Sequence, residues 1–244
     1  MNPSPPFFLL TRWALIRVSA LLACGGASAA AATFVFDPDL AIPDNSILGV
    51  ANSQTISMPA GFITNVKLSL NIVGTPNASN AFNGDFYAYL QHAGGFSVLL
   101  NRTGRTASNG FGYGDSGFDV TFDAAAVNGD IHSYRDLFNP AGGILTGTWQ
   151  PDGRLTNPNS VLQTDARPAL LSSFIGLDPN GGWTIFVADV SPISTGTLKR
   201  WTLDLTVAEA PEPGTVGLMV LVFGIWASAS RRSRKAVTVA RHSR

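Results

Sequence analysis

Residues 176–205 constrain this chain more than any other stretch, because they hold two strand patterns of different character joined by a short polar loop. Asp178-Pro179-Asn180-Gly181-Gly182 is turn chemistry: Pro presets φ, Asp and Asn bond their own backbone, and Gly accepts left-handed angles. β-formers follow from Trp183, with Ile185 and Val187 on one face and Phe186 and Ala188 on the other. Apolar residues on both faces predict a strand covered on both sides. Past a polar loop through Thr195 and Gly196, Trp201, Leu203, Leu205 and Val207 alternate with Thr202, Asp204 and Thr206. That period of two predicts a half-buried strand with one wet face.

The rest of the chain agrees with a sheet fold. Apolar runs are short, Gly (25) and Pro (15) punctuate them, and no segment sustains a 3.6-residue period, so the expectation is all-β. Val66, Leu68, Leu70 and Ile72 alternate with Lys67, Ser69 and Asn71, and further strands are expected at 86–90, 96–100 and from Phe118. No repeat of fixed period is present. Residues 134–165 read as a long irregular stretch packed down by its own side chains, with Trp149 as its anchor rather than a ligand platform.

At 244 residues there is room for one domain and export signals. The formal charge of zero hides a segregation: residues 33–210 carry 14 Asp and one Glu against two Lys and six Arg, a net −7, while the ends are basic. An acidic domain without a clustered basic footprint excludes nucleic acid as a partner. The single cysteine, Cys24, allows neither an intramolecular disulfide nor a thiolate metal site.

The ends read as export machinery. Residues 1–32 have basic Arg12 and Arg17, a short apolar core and a small-residue run at Ala27-Ser28-Ala29-Ala30, the pattern of a cleavable signal peptide. Leu21-Leu22-Ala23-Cys24 also resembles a lipobox, in which Cys24 would be acylated. The domain is expected at 33–207, followed by a stiff linker at 208–213. Uncharged residues 214–230 then form a candidate membrane span, with a basic cytoplasmic tail at 231–244.

Two families are resembled. Asn180-Gly181 before Trp183-Thr184-Ile185, the strand ending at Asp189, and Thr195-Gly196-Thr197-Leu198 before Trp201 look like the C-terminal half of the P domain (P/Homo B domain), the module that follows the catalytic domain in kexin-like and proprotein-convertase-like subtilases. Ile42-Pro43-Asp44, Gly84-Asp85-Phe86, Asn101-Arg102-Thr103-Gly104, Thr121-Phe122-Asp123 and 148–155 match further family elements. The pattern departs where Phe86 replaces a usual Leu and Ala124 a usual second Asp. The resemblance spans about 42–207 and implies an antiparallel jelly-roll β-sandwich, of the galactose-binding-like kind, and an association with proteolysis. Pro211-Glu212-Pro213, the uncharged run, then Arg231, Arg232 and Arg234 resemble the PEP-CTERM sorting signal of bacteria that carry an exosortase. That resemblance implies exosortase as processing partner and delivery to the cell surface or an exopolysaccharide (biofilm) matrix, with membrane attachment before cleavage. A plain C-terminal anchor obeys the same physics.

The candidate chemistry is sparse. Asp44, Asp85, Asp123 and Asp189 stand at P-domain motif positions and are the candidate ligands for calcium, the expected cofactor if there is one; hard cations need several loop oxygens. The competing reading is that each caps a turn or accepts a backbone amide. Gly114-Asp115-Ser116-Gly117 invites a serine endopeptidase or hydrolase reading with Ser116 as nucleophile, but a nucleophile needs a base and an oxyanion hole. His92 is expected to cap a hairpin and His132 to lie in a polar loop, without the partners zinc requires. The expectation is therefore a non-catalytic binding, structural or protease-accessory module, with an exopolysaccharide, a surface protein or a protease as partner.

Overall fold

A computed structural model describes residues 29–74 and 81–209. Its frame is a pair of long antiparallel strands, β4 (Gly61–Gly74) and β10 (Gly196–Glu209), each 14 residues. Ile63, Val66, Leu68, Leu70 and Ile72 of β4 and Leu198, Trp201, Leu203, Leu205 and Val207 of β10 are buried, while the polar residues between them are not. Side chains alternate across a strand, so the period of two in the sequence becomes one dry face shared by both strands. A bulge between Leu198 and Arg200 keeps Leu198 and Trp201 on that face.

The other strands are β1 (Ala29–Phe36), β2 (Leu40–Ala41), β3 (Ser46–Ile56), β5 (Phe86–His92), β6 (Gly95–Asn101), β7 (Phe118–Asp123), β8 (Leu145–Trp149) and β9 (Gly181–Asp189). Among the described residues they form two sheets: β1-β10-β4-β7-β8 with β2 paired to β10, and β3-β9-β5-β6. All ladders are antiparallel except β7 with β8. One apolar cluster joins Leu68, Leu70, Phe118, Phe122, Trp201 and Leu203 of the first sheet to Phe86, Leu90, Trp183, Ile185 and Val187 of the second. Each aliphatic side chain fully removed from water here contributes about 1.5–3 kcal/mol. The expected all-β, two-layer architecture is what forms.

Three expectations shift. β1 starts at Ala29, inside the stretch assigned to the leader, and pairs Ala29–Ala32 with Ala208–Leu205; β10 likewise takes in Ala208 and Glu209 from the expected linker. The irregular stretch at 134–165 contains β8, whose parallel pairing to β7 has no hairpin turn to announce it. Phe186, on the outer face of β9, is only half-buried and stacks on Tyr89 at 4.8 Å instead of lying under another layer.

Candidate functional site

One end of the second sheet collects three of the four expected cation-site aspartates. Asp44 precedes β3, Asp85 closes a short 3-10 turn (Asn83–Asp85) just before β5, and Asp189 ends β9. Asp189 is in register with Ser46 of β3 and Phe86 of β5, so strand pairing itself draws the acids together. Asp85 and Asp189 are buried. Asp189 Oδ1 accepts from Ser191 N at 3.2 Å, while its Oδ2 has no hydrogen-bond partner. Asp85 accepts from the Ser194 hydroxyl at 3.4 Å, and Arg102 Nη2 stands 3.9 Å from its Oδ1. Asp44 Oδ2 accepts from Ile193 N at 3.3 Å.

The electrostatics follow from that crowding. Burial, helped by the nearby carboxyls of Asp85 and Asp44, pushes Asp189 up to about 7 against the bond from Ser191 N and the charge of Arg102. Burial also raises Asp85, opposed by the hydroxyls of Ser191 and Ser194 and by Arg102. Perturbed acids in a concave setting are what binding sites tend to contain.

The setting is concave. A cleft of about 220 Å³ opens over Asp85 and Ser191, walled by Phe82, Phe111, Tyr113, Pro192 and Ile193. Its two walls come from the glycine-rich loop after β6 and the loop joining β9 to β10. Gly84 fixes the first: a Cβ there would lie 2.1 Å from the Phe111 carbonyl oxygen, and its N–H donates to Tyr113 O at 2.8 Å. Only glycine lets the two backbones touch, and the result is a Phe111 side chain left 77% exposed. On the other wall Ile193, 79% exposed, has φ of +101°, an outlier for a β-branched residue. Such strain persists where surrounding bonds over-determine it, here the bonds of 189–194 to Asp44, Asp85 and Asp189.

Asp123 does not belong to this group. It ends β7 in the other sheet and pairs with Lys67 at 2.8 Å, which, with the Ala125 N–H, holds it below the usual carboxylate range. The four-aspartate calcium expectation is thus corrected. Asp85 and Asp189 feel the charge of Asp44 and the fourth acid is elsewhere, and among the described residues no three ligating groups converge where a metal ion could be held. The turn-capping reading accounts for Asp44 and Asp189, which accept backbone N–H groups from the loop at 190–195. Because the Lys67 side chain is half-exposed, Asp123→Asn is expected to cost under about 1 kcal/mol, less in high salt, and to leave the pH dependence of the Asp85–Asp189 end unchanged; parallel melts of the two proteins at low and high salt check this.

The serine-hydrolase reading gains little from the geometry. Asp115, next to Ser116, is buried and accepts from Tyr134 Oη at 2.5 Å, Arg135 Nε at 2.8 Å and Gly142 N at 2.9 Å, which together override burial and hold its carboxyl below the usual range. The ring nitrogens of His92 face Gly182 O at 2.9 Å and Asp178 O at 2.7 Å, and the ring stacks on Trp183 at 4.0 Å. His92 does sit beside the β5–β6 turn, but it chiefly ties down the turn before β9. His132, expected in a polar loop, is fully buried: Nδ1 donates to Asp152 Oδ2 at 2.7 Å and Nε2 faces Arg105 O at 3.0 Å. A general base for Ser116 would have to leave these partners.

Stacking of sugars on tryptophan has no platform among the described residues. Trp149, Trp183 and Trp201 are all buried, and Trp149 donates Nε1 to Thr146 O at 2.9 Å as a core residue of β8. A row of Phe186, Tyr89 and Phe96 crosses the outer face of the second sheet with ring centroids 4.8 and 4.9 Å apart. Tyr89 and Phe186 stack, Tyr89 and Phe96 are tilted by 38°, and both contacts join neighbouring strands as cross-strand pairs.

The apolar walls of the cleft were missed by motif reading, which found Asp85 among its lining. Phe111 and Ile193 carry no chemistry of their own, and the available signals were an apolar residue in a glycine-rich loop and another in a polar connection. Cys24 and the sorting residues Pro211, Glu212, Pro213, Arg231, Arg232 and Arg234 lie outside the described residues. So does the expected span at 214–230; among the described residues no helix is long and apolar enough to cross a membrane.

No family model and no curated protein matches the chain. Among solved structures it is similar to the complex of the Aeromonas sobria serine protease (ASP) with the chaperone ORF2, at 14% identity and a TM-score of 0.42, over 75% of this chain and 28% of that one.

Proposed function

We propose that this chain is an exported, non-catalytic P-domain-like module of jelly-roll type that binds a partner through the cleft over Asp85. One observation carries the reading: a cleft with exposed apolar walls over the buried carboxyl of Asp85 is built by the loops that hold the P-domain-like motif residues, whereas Asp115, beside Ser116, stands among structural bonds. The motifs of 42–207 make the partner a protease or another surface protein. The Pro211-Glu212-Pro213 motif and its arginine cluster make the destination the cell surface or an extracellular matrix, reached after processing by an exosortase.

Two measurements on the protein purified from its native host test this. Intact mass with both termini assigned is expected to show loss of the basic tail near Pro211; a chain retaining Arg231 to Arg244, or lipid on Cys24, would place it on a membrane. A fluorophosphonate probe is expected to leave the protein unlabelled. A covalent adduct that disappears in Ser116→Ala would replace the binding-module reading with a hydrolase.

A further inference from the structure

We propose that the cleft over Asp85 receives a basic side chain, arginine or lysine, presented by a partner polypeptide, its methylene stem against the apolar walls and its charge on Asp85. This deepens the binding-module reading and rests on it.

The first argument is an imbalance of charge. Asp44 acts on both buried acids, Asp85 acts on Asp189, and the cation that acts on the two buried acids is Arg102. Arg102 is itself buried and committed: its Nε donates to Gly84 O at 2.8 Å and its Nη2 reaches Asp85 only at 3.9 Å. Among the described residues the two buried carboxyl groups therefore share one guanidinium, the exposed Asp44 adds its charge to theirs, and the buried Oδ2 of Asp189 accepts from nothing. Buried carboxyl oxygens are normally satisfied, and a group of this kind resolves either by holding a proton or by meeting a further cation.

The second argument is the shape of what would bring that cation. A cleft of about 220 Å³ is below the usual range of about 300–1,000 Å³ for small-molecule sites, and suits one long side chain. Its walls are apolar and aromatic and its floor is acidic, with Asp85 and the Ser191 hydroxyl. That combination fits an amphipathic cation, whose stem buries along apolar surface while aromatic rings and a carboxylate attract the head group. A metal ion would draw nothing from Phe111 and Ile193, and the carboxylates do not converge on one point. A neutral apolar side chain would add nothing to the Ser191 and Ser194 hydroxyls and the distant Arg102 that already face the Asp85 charge.

The experiment is a titration of the isotope-labelled full chain with the blocked peptide Gly-Arg-Gly, followed by amide chemical shifts. The same peptide carrying citrulline, of equal shape without the charge, and calcium chloride at matched ionic strength run in parallel. Saturable shifts are expected at Phe111, Gly112, Ser191 and Ile193. Binding should weaken at least about tenfold with citrulline and in Asp85→Asn, as loss of a charge-assisted bond implies. Phe111→Ala, an exposed position whose change leaves the core intact, should weaken it severalfold. Equal binding of citrulline, unchanged affinity in Phe111→Ala and Asp85→Asn, shifts confined to other regions, or no saturation at tens of millimolar peptide would overturn the proposal. Larger shifts of these amides with calcium than with peptide would also overturn it, assigning the acids to a metal. A fluorophosphonate adduct on Ser116 would remove the binding-module reading without altering any of these shifts, so the two failures are distinguishable.

Discussion

At pH 8 the Asp189→Asn protein is expected to melt several degrees above the parent chain, and at pH 5 the difference should shrink to less than half, vanishing only below about pH 4. Asp189 is raised from an ordinary value of 3.8 to about 7 in the folded state. Between those values the folded chain holds a proton that the unfolded chain has released, so stability falls as pH rises through the window. A rise of that size amounts to at most about 4 kcal/mol, and a domain of this size gains roughly 2–4 °C per kcal/mol. Asparagine keeps an acceptor for Ser191 N and never ionises, which removes the penalty without removing the bond. Asp85 is raised for the same reason and adds to the slope in the same direction. Thermal melts of both proteins from pH 5 to 8.5 decide the matter: parallel curves would mean that the acids at this end are not crowded.

Asp152→Ala should be the most damaging single change, by about 3–5 kcal/mol, the usual cost of breaking a buried charged network by removing one partner. Asp152 is fully buried and binds His132 at 2.7 Å, while Arg154 Nη1 reaches its Oδ1 at 3.2 Å. Arg154 also pairs with Asp130 at 2.7 Å, and Arg167 donates to Asp152 O at 2.8 Å. This network pins the loop after β8 against β6, where Asp152 N donates to Leu99 O and Gly153 N to Val98 O. Denaturant midpoints measure the loss, and hydrogen exchange at 98–101 should show the edge of the sheet opening first. The histidine adds a pH signature. Burial alone would lower His132, but the bond and charge of Asp152 override it and raise it above 6.5. Its contribution is complete below 6.5 and is lost as pH rises through the higher folded value. In Asp152→Ala that part of the slope should disappear.

How legible this was in the sequence depended on whether the decisive interaction was local. Val66 to Ile72 and Trp201 to Val207 declare their faces through a period of two, and they are the strands that build the core. β8 gave no such sign, because Gly147 leaves the apolar face of a five-residue strand with only Leu145 and Trp149, and its partner β7 lies a long loop away. Motif spacing found Asp44, Asp85 and Asp189, since strand ends that belong to a common pattern meet at one end of a sheet. It also drew in Asp123, whose motif position is equally good but whose strand sits in the other sheet. Phe111 and Ile193 were illegible for a different reason: their role is set by which backbone Gly84 lets approach and by a bond from Ile193 N to Asp44, contacts between residues far apart in the chain. The burial of His132 was equally hidden, because a single histidine among polar residues says nothing about the carboxylate that will reach it from Asp152.

The pairing of β1 with β10 has a consequence for reach. Ala29 lies beside Ala208, so the two ends of the domain leave it at a common corner. The loop that forms one wall of the cleft joins β10 at its opposite end, before Gly196. Fourteen residues of strand at about 3.3 Å each separate them by roughly 45 Å. The cleft therefore lies at the end of the sandwich far from the corner where β1 begins and β10 ends, so a partner seated there meets neither of those strand ends.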